Sequence, residues 1–158
     1  NGILQEILEA VPGEKVLVFS TLHQVLNELA KALELCKVPF LFYVSGMPQH
    51  LRNTYVNAFA HKPQFRCLLM STAIGGSGLD LHCASRIILT EPIWQWDLES
   101  QAVKRAWRIG QTRRVLVSTY VMRHTYEERV IERKKARFLN GTDAAEQLQT
   151  LIADQALR

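Results

Sequence analysis

Five short runs of nearly unbroken apolar residues punctuate the first 121 positions: Val16 to Phe19, Phe40 to Val44, Cys67 to Ser71, Ile87 to Thr90 and Val115 to Val121. Runs of this length with little polar alternation are the pattern of strands buried on both faces, as in a parallel sheet covered by helices. Between them the apolar positions fall at helical spacing, which predicts helices over Leu22 to Leu35, Gln49 to Ala60 and Leu98 to Arg108. Ser20 or Thr21 is expected to cap the first of these, and Pro48 suits the opening turn of the second. The fold class that follows is α/β, a parallel sheet wound through right-handed crossovers with helices on both faces. Ligands of such sheets sit at the carboxyl ends of the strands.

After the last strand the pattern changes to a charged helical one. Thr125 with Glu128 three positions on has the form of a capping box, and the helix is expected to run to about Leu139. Asn140-Gly141 should end it, and Asp143 would cap a last helix through Leu157. The expected organisation is a lobe over residues 1–122 and a C-terminal helical extension over 123–158 packed on it. No Gly/Ser-rich linker or internal repeat divides the chain.

Composition narrows the class further. With 158 residues and 47% apolar content, one soluble, singly cored domain is expected, and no apolar run approaches the ~18 to 20 residues of a membrane span. The three cysteines are far apart, each beside apolar neighbours, which favours buried thiols in a reducing compartment over a disulfide or metal framework. The net charge of +4 is unevenly placed: residues 1–103 carry −2, residues 104–137 carry +8 and the remainder −2. That basic region is either an anion-facing surface or a solvated face in which Glu127, Glu128 and Glu132 pair locally with Arg129, Arg133 and Lys135.

Two segments carry the chemistry. Placed on a helix, Gln101, Arg105 and Arg108 fall on one stripe, with Leu98, Ala102, Ala106 and Ile109 as the buried face and Arg105 on its flank. Two guanidinium forks a turn apart suit a polyphosphate. Upstream, the loop from Ser71 to Leu81 follows a predicted strand and carries glycines at 75, 76 and 78 with hydroxyls at Ser71, Thr72 and Ser77, a setting in which main-chain N–H groups approach a ligand closely. It matches neither the Walker phosphate loop nor the dinucleotide fingerprint.

Together these segments resemble the fifth and sixth motifs of superfamily-two helicases, specifically the chromatin-remodelling ATPases of the switch/sucrose-non-fermenting type. Arg105-Ala106-Trp107-Arg108-Ile109-Gly110-Gln111 is similar to that family's R-A-H-R-I-G-Q signature, Lys15 to Ser20 resembles its motif four, and Val44-Ser45-Gly46 resembles the element after that. Glu91-Pro92-Ile93-Trp94 stands where a DNA-repair and damage-tolerance branch has an acidic-Pro-Trp-Trp segment. The chain departs from the pattern at Trp107 (usually His), at Ala73 (often Arg), at Asp80 (often Asn) and at Gln95-Trp96 (commonly Asn-Pro).

The resemblance implies a RecA-like second motor lobe of a double-stranded-DNA translocase or chromatin remodeller. The chain has no Gly-x-x-x-x-Gly-Lys-Ser/Thr loop and no Asp-Glu pair, so the family view assigns ATP hydrolysis to a longer chain, with Mg²⁺ held mainly by a first lobe. Arg105 and Arg108 would then act as catalytic fingers on ATP. Gln101, Gly76, Gly78 and Asp80 would border the nucleotide, and Ser71, Thr72, Ser45, Gly46 and Trp94 would meet DNA. Trp94 has a plain alternative, a ring packed beneath its own loop, and the helix after Thr125 either braces the first lobe through Val130, Ile131 and Phe138 or packs only on its own domain. No metal site is expected within the chain, and the five histidines show no clustering for one. Partners implied are DNA or chromatin and the first lobe, with no membrane, in the nucleus. The alternative function is a catalytically silent helicase-like regulatory or scaffolding lobe.

Overall fold

The computed structural model describes residues 2–72 and 78–140, with side-chain surroundings described to residue 136. Five parallel strands, β1 (Val16–Ser20), β2 (Phe40–Tyr43), β3 (Cys67–Ser71), β4 (Arg86–Leu89) and β5 (Leu116–Thr119), form one sheet in the order β2-β3-β1-β4-β5. Among the described residues five helices accompany them: α1 (Gly2–Glu9), α2 (His23–Leu35), α3 (Gln49–His61), α4 (Trp96–Ala106) and α5 (Tyr126–Asn140). All five predicted strands are present within a few residues of their expected ends. Helix α1 was not foreseen. Its eight residues place Ile3, Leu4 and Ile7 at helical spacing on the core under β1, a pattern that the sequence reading did not use.

Strand residues alternate between two cores rather than one, because a sheet covered on both faces must build a separate contact layer on each. Leu17 and Phe19 of β1 join Leu68 and Met70 of β3, Ile87 and Leu89 of β4, Tyr43 of β2, Phe59 of α3, and Ala102, Val103 and Ala106 of α4. Val16 and Val18 face the other way, with Cys67, Leu69 and Ile88, under Ile7 of α1 and Leu26 and Leu33 of α2. Helices α3 and α4 thus share the layer that carries the candidate site, and α1 and α2 close the opposite face.

Several local expectations are corrected. Leu22 occupies the N-cap position of α2 without a side-chain cap; Ser20 Oγ instead accepts the Leu22 N–H at 3.1 Å while both Ser20 and Thr21 bind Glu91. Pro48 stands one residue before α3, at its N-cap, where a missing N–H costs nothing. Thr125 does cap α5, its hydroxyl accepting the Glu127 N–H at 3.2 Å, but the residue that folds back is Glu127, which accepts the Met122 N–H at 2.7 Å, and not Glu128. Cys36 is exposed, Cys67 buried and Cys83 half-buried, so the expectation of three buried thiols fails at Cys36, just past the end of α2. The last expected helix and its Asp143 cap lie outside the described residues, as does the side chain of Phe138.

The amino-terminal edge of the sheet is tied by charges that no strand pattern announces. Arg86 at the start of β4 pairs with Glu6 at 3.5 Å and Glu14 at 3.2 Å, all three largely buried. Glu6 also accepts Ser118 Oγ at 2.7 Å and Tyr120 Oη at 2.9 Å, which fastens α1 across β4 and β5. Lys15 donates to the carbonyls of Lys62 and Phe65, both at 3.0 Å, and lies over the Phe59 ring. Burial holds its pKa below the usual lysine value, an effect that nearby Cys83 opposes. No helix among the described residues is long and apolar enough to cross a membrane.

Candidate nucleotide and nucleic-acid interface

Because all strands are parallel, their carboxyl ends gather on one edge, and the motif residues follow directly from those ends. Ser45 and Gly46 come two residues after β2 and are exposed; Gly46 has φ +83° and nothing within 4 Å of where a Cβ would stand, so the turn needs glycine for its conformation and not for want of space. Ser71 ends β3, Thr72 follows, and both are buried. The Thr72 N–H donates to the Ser20 carbonyl at 3.0 Å, and its hydroxyl approaches the same oxygen at 3.4 Å. Thr72 therefore backs the edge instead of projecting from it.

Helix α4 crosses this edge and brings the two sequence segments together. Ser71, Thr72, Gln101 and Arg105 line one narrow cleft with Phe19, Met70, Leu98 and Ala102, its interior only about 10 Å³, room for about one water molecule. Arg105 is 8% exposed. Burial pulls its pKa below the ordinary arginine value and Arg108 adds to the depression, while Tyr43 opposes it. An arginine remains charged under such a shift, so the consequence is a cation whose desolvation favours meeting an anion.

The expected stripe of three side chains is broken at its end. Helix α4 runs from Trp96 to Ala106, two residues earlier at each end than predicted, and Arg108 lies past its C-cap, Trp107. Ile109, expected on the buried face, is 100% exposed for the same reason: the chain has left the helix and turns at Gly110, where φ is +104°. Arg108 instead reaches the segment after the glycine loop, donating to the Gly78 carbonyl at 3.3 Å. Asp80 stands nearby, about half exposed, and accepts from His82 through both the ring Nδ1 at 2.7 Å and the backbone N–H at 3.3 Å. The His82 hydrogen bond is the main reason its carboxyl sits below the usual aspartate range, with Arg108 helping. Gly78 has open space around it, and Gly76 lies outside the described residues.

Trp94, following β4, is 64% exposed, with the Arg133 guanidinium 5.6 Å from its ring centroid. The ring is therefore not packed beneath its own loop but bracketed on one side by α5. That helix docks on this lobe, through buried Val130 and through Lys134, which bonds the buried carboxylate of Glu99 on α4. Arg133, expected to pair within α5, thus meets Trp94 outside it, and Lys134, given no partner in the sequence, meets Glu99.

Sequence reasoning gave no role to two residues that organise the edge. The Glu91 carboxylate collects Ser20 Oγ at 2.9 Å, Thr21 Oγ1 at 2.8 Å, the Thr21 N–H and Thr90 Oγ1, joining the ends of β1 and β4. Gln111 joins α4 to the segment after the glycine loop. A Ser-Thr pair after one strand and an acid after another were the available signals for Glu91, but their pairing required knowing that β1 and β4 are neighbours. Among the described residues there is no group of three or more His, Cys, Asp or Glu side chains that could hold a metal ion.

A parallel sheet with this edge, with Arg105 in the last turn of α4 and Arg108 just past it, has the form of a RecA-like lobe. The helicase conserved C-terminal domain matches residues 1–110, and the chain belongs to that family. It is similar to the DNA repair protein rad8 of Schizosaccharomyces pombe, 34% identical over 142 residues, and to the ATP-dependent helicase ULS1 of Saccharomyces cerevisiae, 31% identical over 138 residues. These matches span 89% and 85% of this chain but only 12% and 8% of the relatives' lengths. A crystal structure of the C-terminal part of the Fun30 ATPase domain superposes with a TM-score of 0.77 at 26% identity, covering 97% of this chain and 52% of that one. The expected resemblance to switch/sucrose-non-fermenting helicases and the α/β fold class are both borne out.

Proposed function

We propose that the chain is the second motor lobe of an ATP-dependent double-stranded-DNA translocase or chromatin remodeller acting in the nucleus, with residues 1–122 as the lobe and 123–158 as its helical extension. The observation that carries this reading is the meeting of Gln101 and Arg105 with Ser71 and Thr72 in one cleft at the carboxyl edge, while Arg108 contacts Gly78. The cleft is too small for a nucleotide, so the phosphates would lie at its mouth, between this lobe and a first lobe in the same parent chain.

The donor set fits ATP. Two guanidiniums and an amide suit phosphate oxygens, and the Asp80 carboxylate suits a ribose hydroxyl. Gly76 and Gly78 would let the main chain approach the nucleotide. Bound ATP with Mg²⁺ supplies the phosphoanhydride to be cleaved, and the metal would be held mainly by the first lobe. Arg105 and Arg108 would neutralise charge developing on the transferred phosphoryl group, a contribution of roughly 10³ to 10⁵ in rate. Ser45 and Gly46, exposed beyond β2, would meet a DNA phosphate, with Trp94 farther along the same edge and the buried Ser71 and Thr72 backing the edge between them. Such contacts carry little sequence information, so weak sequence preference is expected. The names of several relatives, DNA repair proteins from fungi and plants, support DNA as the partner and the nucleus as the place.

The test is DNA-stimulated ATP turnover of the full-length parent beside Arg105→Ala and Arg108→Ala, with nucleotide and DNA binding measured in each. Collapse of turnover with both ligands still bound is the expected result. Unchanged turnover, or none in the wild type, would make this a silent regulatory or scaffolding lobe.

A further inference from the structure

Gln111 lies five residues past the end of α4, yet its side chain returns to that helix. The Nε2 amide donates to the carbonyls of Ala84 at 2.7 Å, His82 at 2.8 Å and Ala106 at 3.3 Å, and Oε1 accepts the Arg113 N–H at 2.9 Å. The turn at Gly110, with its positive φ, and the Gln111 N–H bonded to the Arg108 carbonyl at 3.0 Å bring the side chain into place. A second bond runs parallel to this one: the Leu81 N–H donates to the Arg105 carbonyl at 3.0 Å. The segment from Leu81 to Ala84 and the last turn of α4 are therefore held together by one backbone bond and one side-chain amide, with Arg105 and Arg108 on one side of the joint and Gly78 and Asp80 on the other.

We infer that Gln111 is a positioning residue, which fixes the two arginines against Gly78 and Asp80 by clamping the end of α4 to the Leu81 to Ala84 segment. This rests on the proposed role of Arg105 and Arg108. A glutamate at 111 keeps the shape but turns carboxylate lone pairs toward three carbonyl oxygens, and a methionine keeps the length with no donor. Neither change touches a phosphate-binding group, so ground-state binding should persist while the arginines lose their aim.

The experiment uses the full-length protein, with Gln111→Glu and Gln111→Met made alone and in an Arg105→Lys background chosen to leave measurable turnover. The expected result is a fall in kcat of about tenfold to a hundredfold, the scale of an ångström-sized misplacement, with KM for ATP and DNA affinity within about twofold. In the Arg105→Lys background the further loss from either Gln111 substitution should shrink severalfold, because both act through the joint between the end of α4 and the Leu81 to Ala84 segment. Losses that simply multiply, no loss at all, or a collapse of folding and DNA binding together would each overturn the assignment. If Arg105→Lys and Arg105→Ala themselves leave turnover intact, the finger reading fails; if Arg105→Ala abolishes it, Arg105→Lys lowers it measurably and Gln111 does not couple, only this inference fails.

Discussion

Ser20 is bonded to Glu91 across the junction of β1 and β4, Oγ to carboxylate at 2.9 Å, and the Ser20 carbonyl in turn receives the Thr72 N–H from beyond β3. One serine thus connects the loop that presents Trp94 to the start of the glycine loop. Glu91→Ala should release four donors, two of them from Thr21, and leave the buried Ser20 hydroxyl without its acceptor. A loss of about 1–3 kcal/mol in unfolding free energy is expected, the cost of a partly buried hydrogen-bond acceptor removed from its donors. Glu91→Gln should lose less, since the amide oxygen still accepts. Urea denaturation of the full chain with the two variants side by side checks this, and equal stability of all three proteins would show that water replaces the carboxylate at no cost.

The bond between Lys134 and Glu99 makes α5 part of the lobe. Both side chains are nearly buried, at 14% and 10% exposure, so removing one partner strands a charge. Lys134→Ala should cost on the order of 3–5 kcal/mol, and the paired change Glu99→Gln with Lys134→Met should recover most of it, because breaking a buried pair is worse than replacing it. A double-mutant cycle by chemical denaturation reads the coupling directly. A single-variant loss below about 0.5 kcal/mol, the range of a surface pair, would mean that α5 detaches in solution.

Cys67 is wholly enclosed in the sheet, and burial pushes its thiol pKa up to about 12 from the ordinary value near 9. In the folded state it therefore keeps its proton through a range where the unfolded chain would lose it. Stability from this group is fully present below pH 9 and declines as pH rises from there toward 12. Alkaline denaturation should be less steep in Cys67→Ala than in the wild type across that window. Alkylation followed by mass spectrometry at pH 8 should label exposed Cys36 first, half-buried Cys83 more slowly and Cys67 only on unfolding.

What was legible in the sequence follows from where each signal is local. The strands were, because burial on both faces writes a continuous apolar run, and the place of Arg105 on a helix was, because it is fixed by its own neighbours in the chain. Arg108 and Ile109 were misplaced because a helical projection continues past the last hydrogen-bonded turn, and nothing in Trp107-Arg108-Ile109 stops it before Gly110. Glu91, Gln111 and Glu6 were invisible in role because the partners that give each its role include ones 27 to 114 positions away. Which strand residue joins which of the two cores was not legible, because alternation between faces disappears from a strand that is apolar on both.

Trp94 is the residue at which stability and motion can be separated. Its ring is mostly exposed, and the Arg133 guanidinium stands 5.6 Å from its centroid. A contact of that kind at an exposed site is worth about 0.5–1 kcal/mol, so Trp94→Ala should leave the fold nearly intact. If the ring is the element that grips the duplex as the lobes open and close, the full-length variant should hydrolyse ATP in response to DNA while displacing a triplex-forming strand at least about tenfold more slowly, a barrier difference of roughly 1.4 kcal/mol. Arg133→Ala serves as the control, since it removes the same cation–π contact and leaves the indole free. Slow displacement in Trp94→Ala with normal displacement in Arg133→Ala would place the function in the ring. Parallel loss of turnover, displacement and thermal stability in both variants would make Trp94 a packing residue for α5 and remove it from the DNA-facing set.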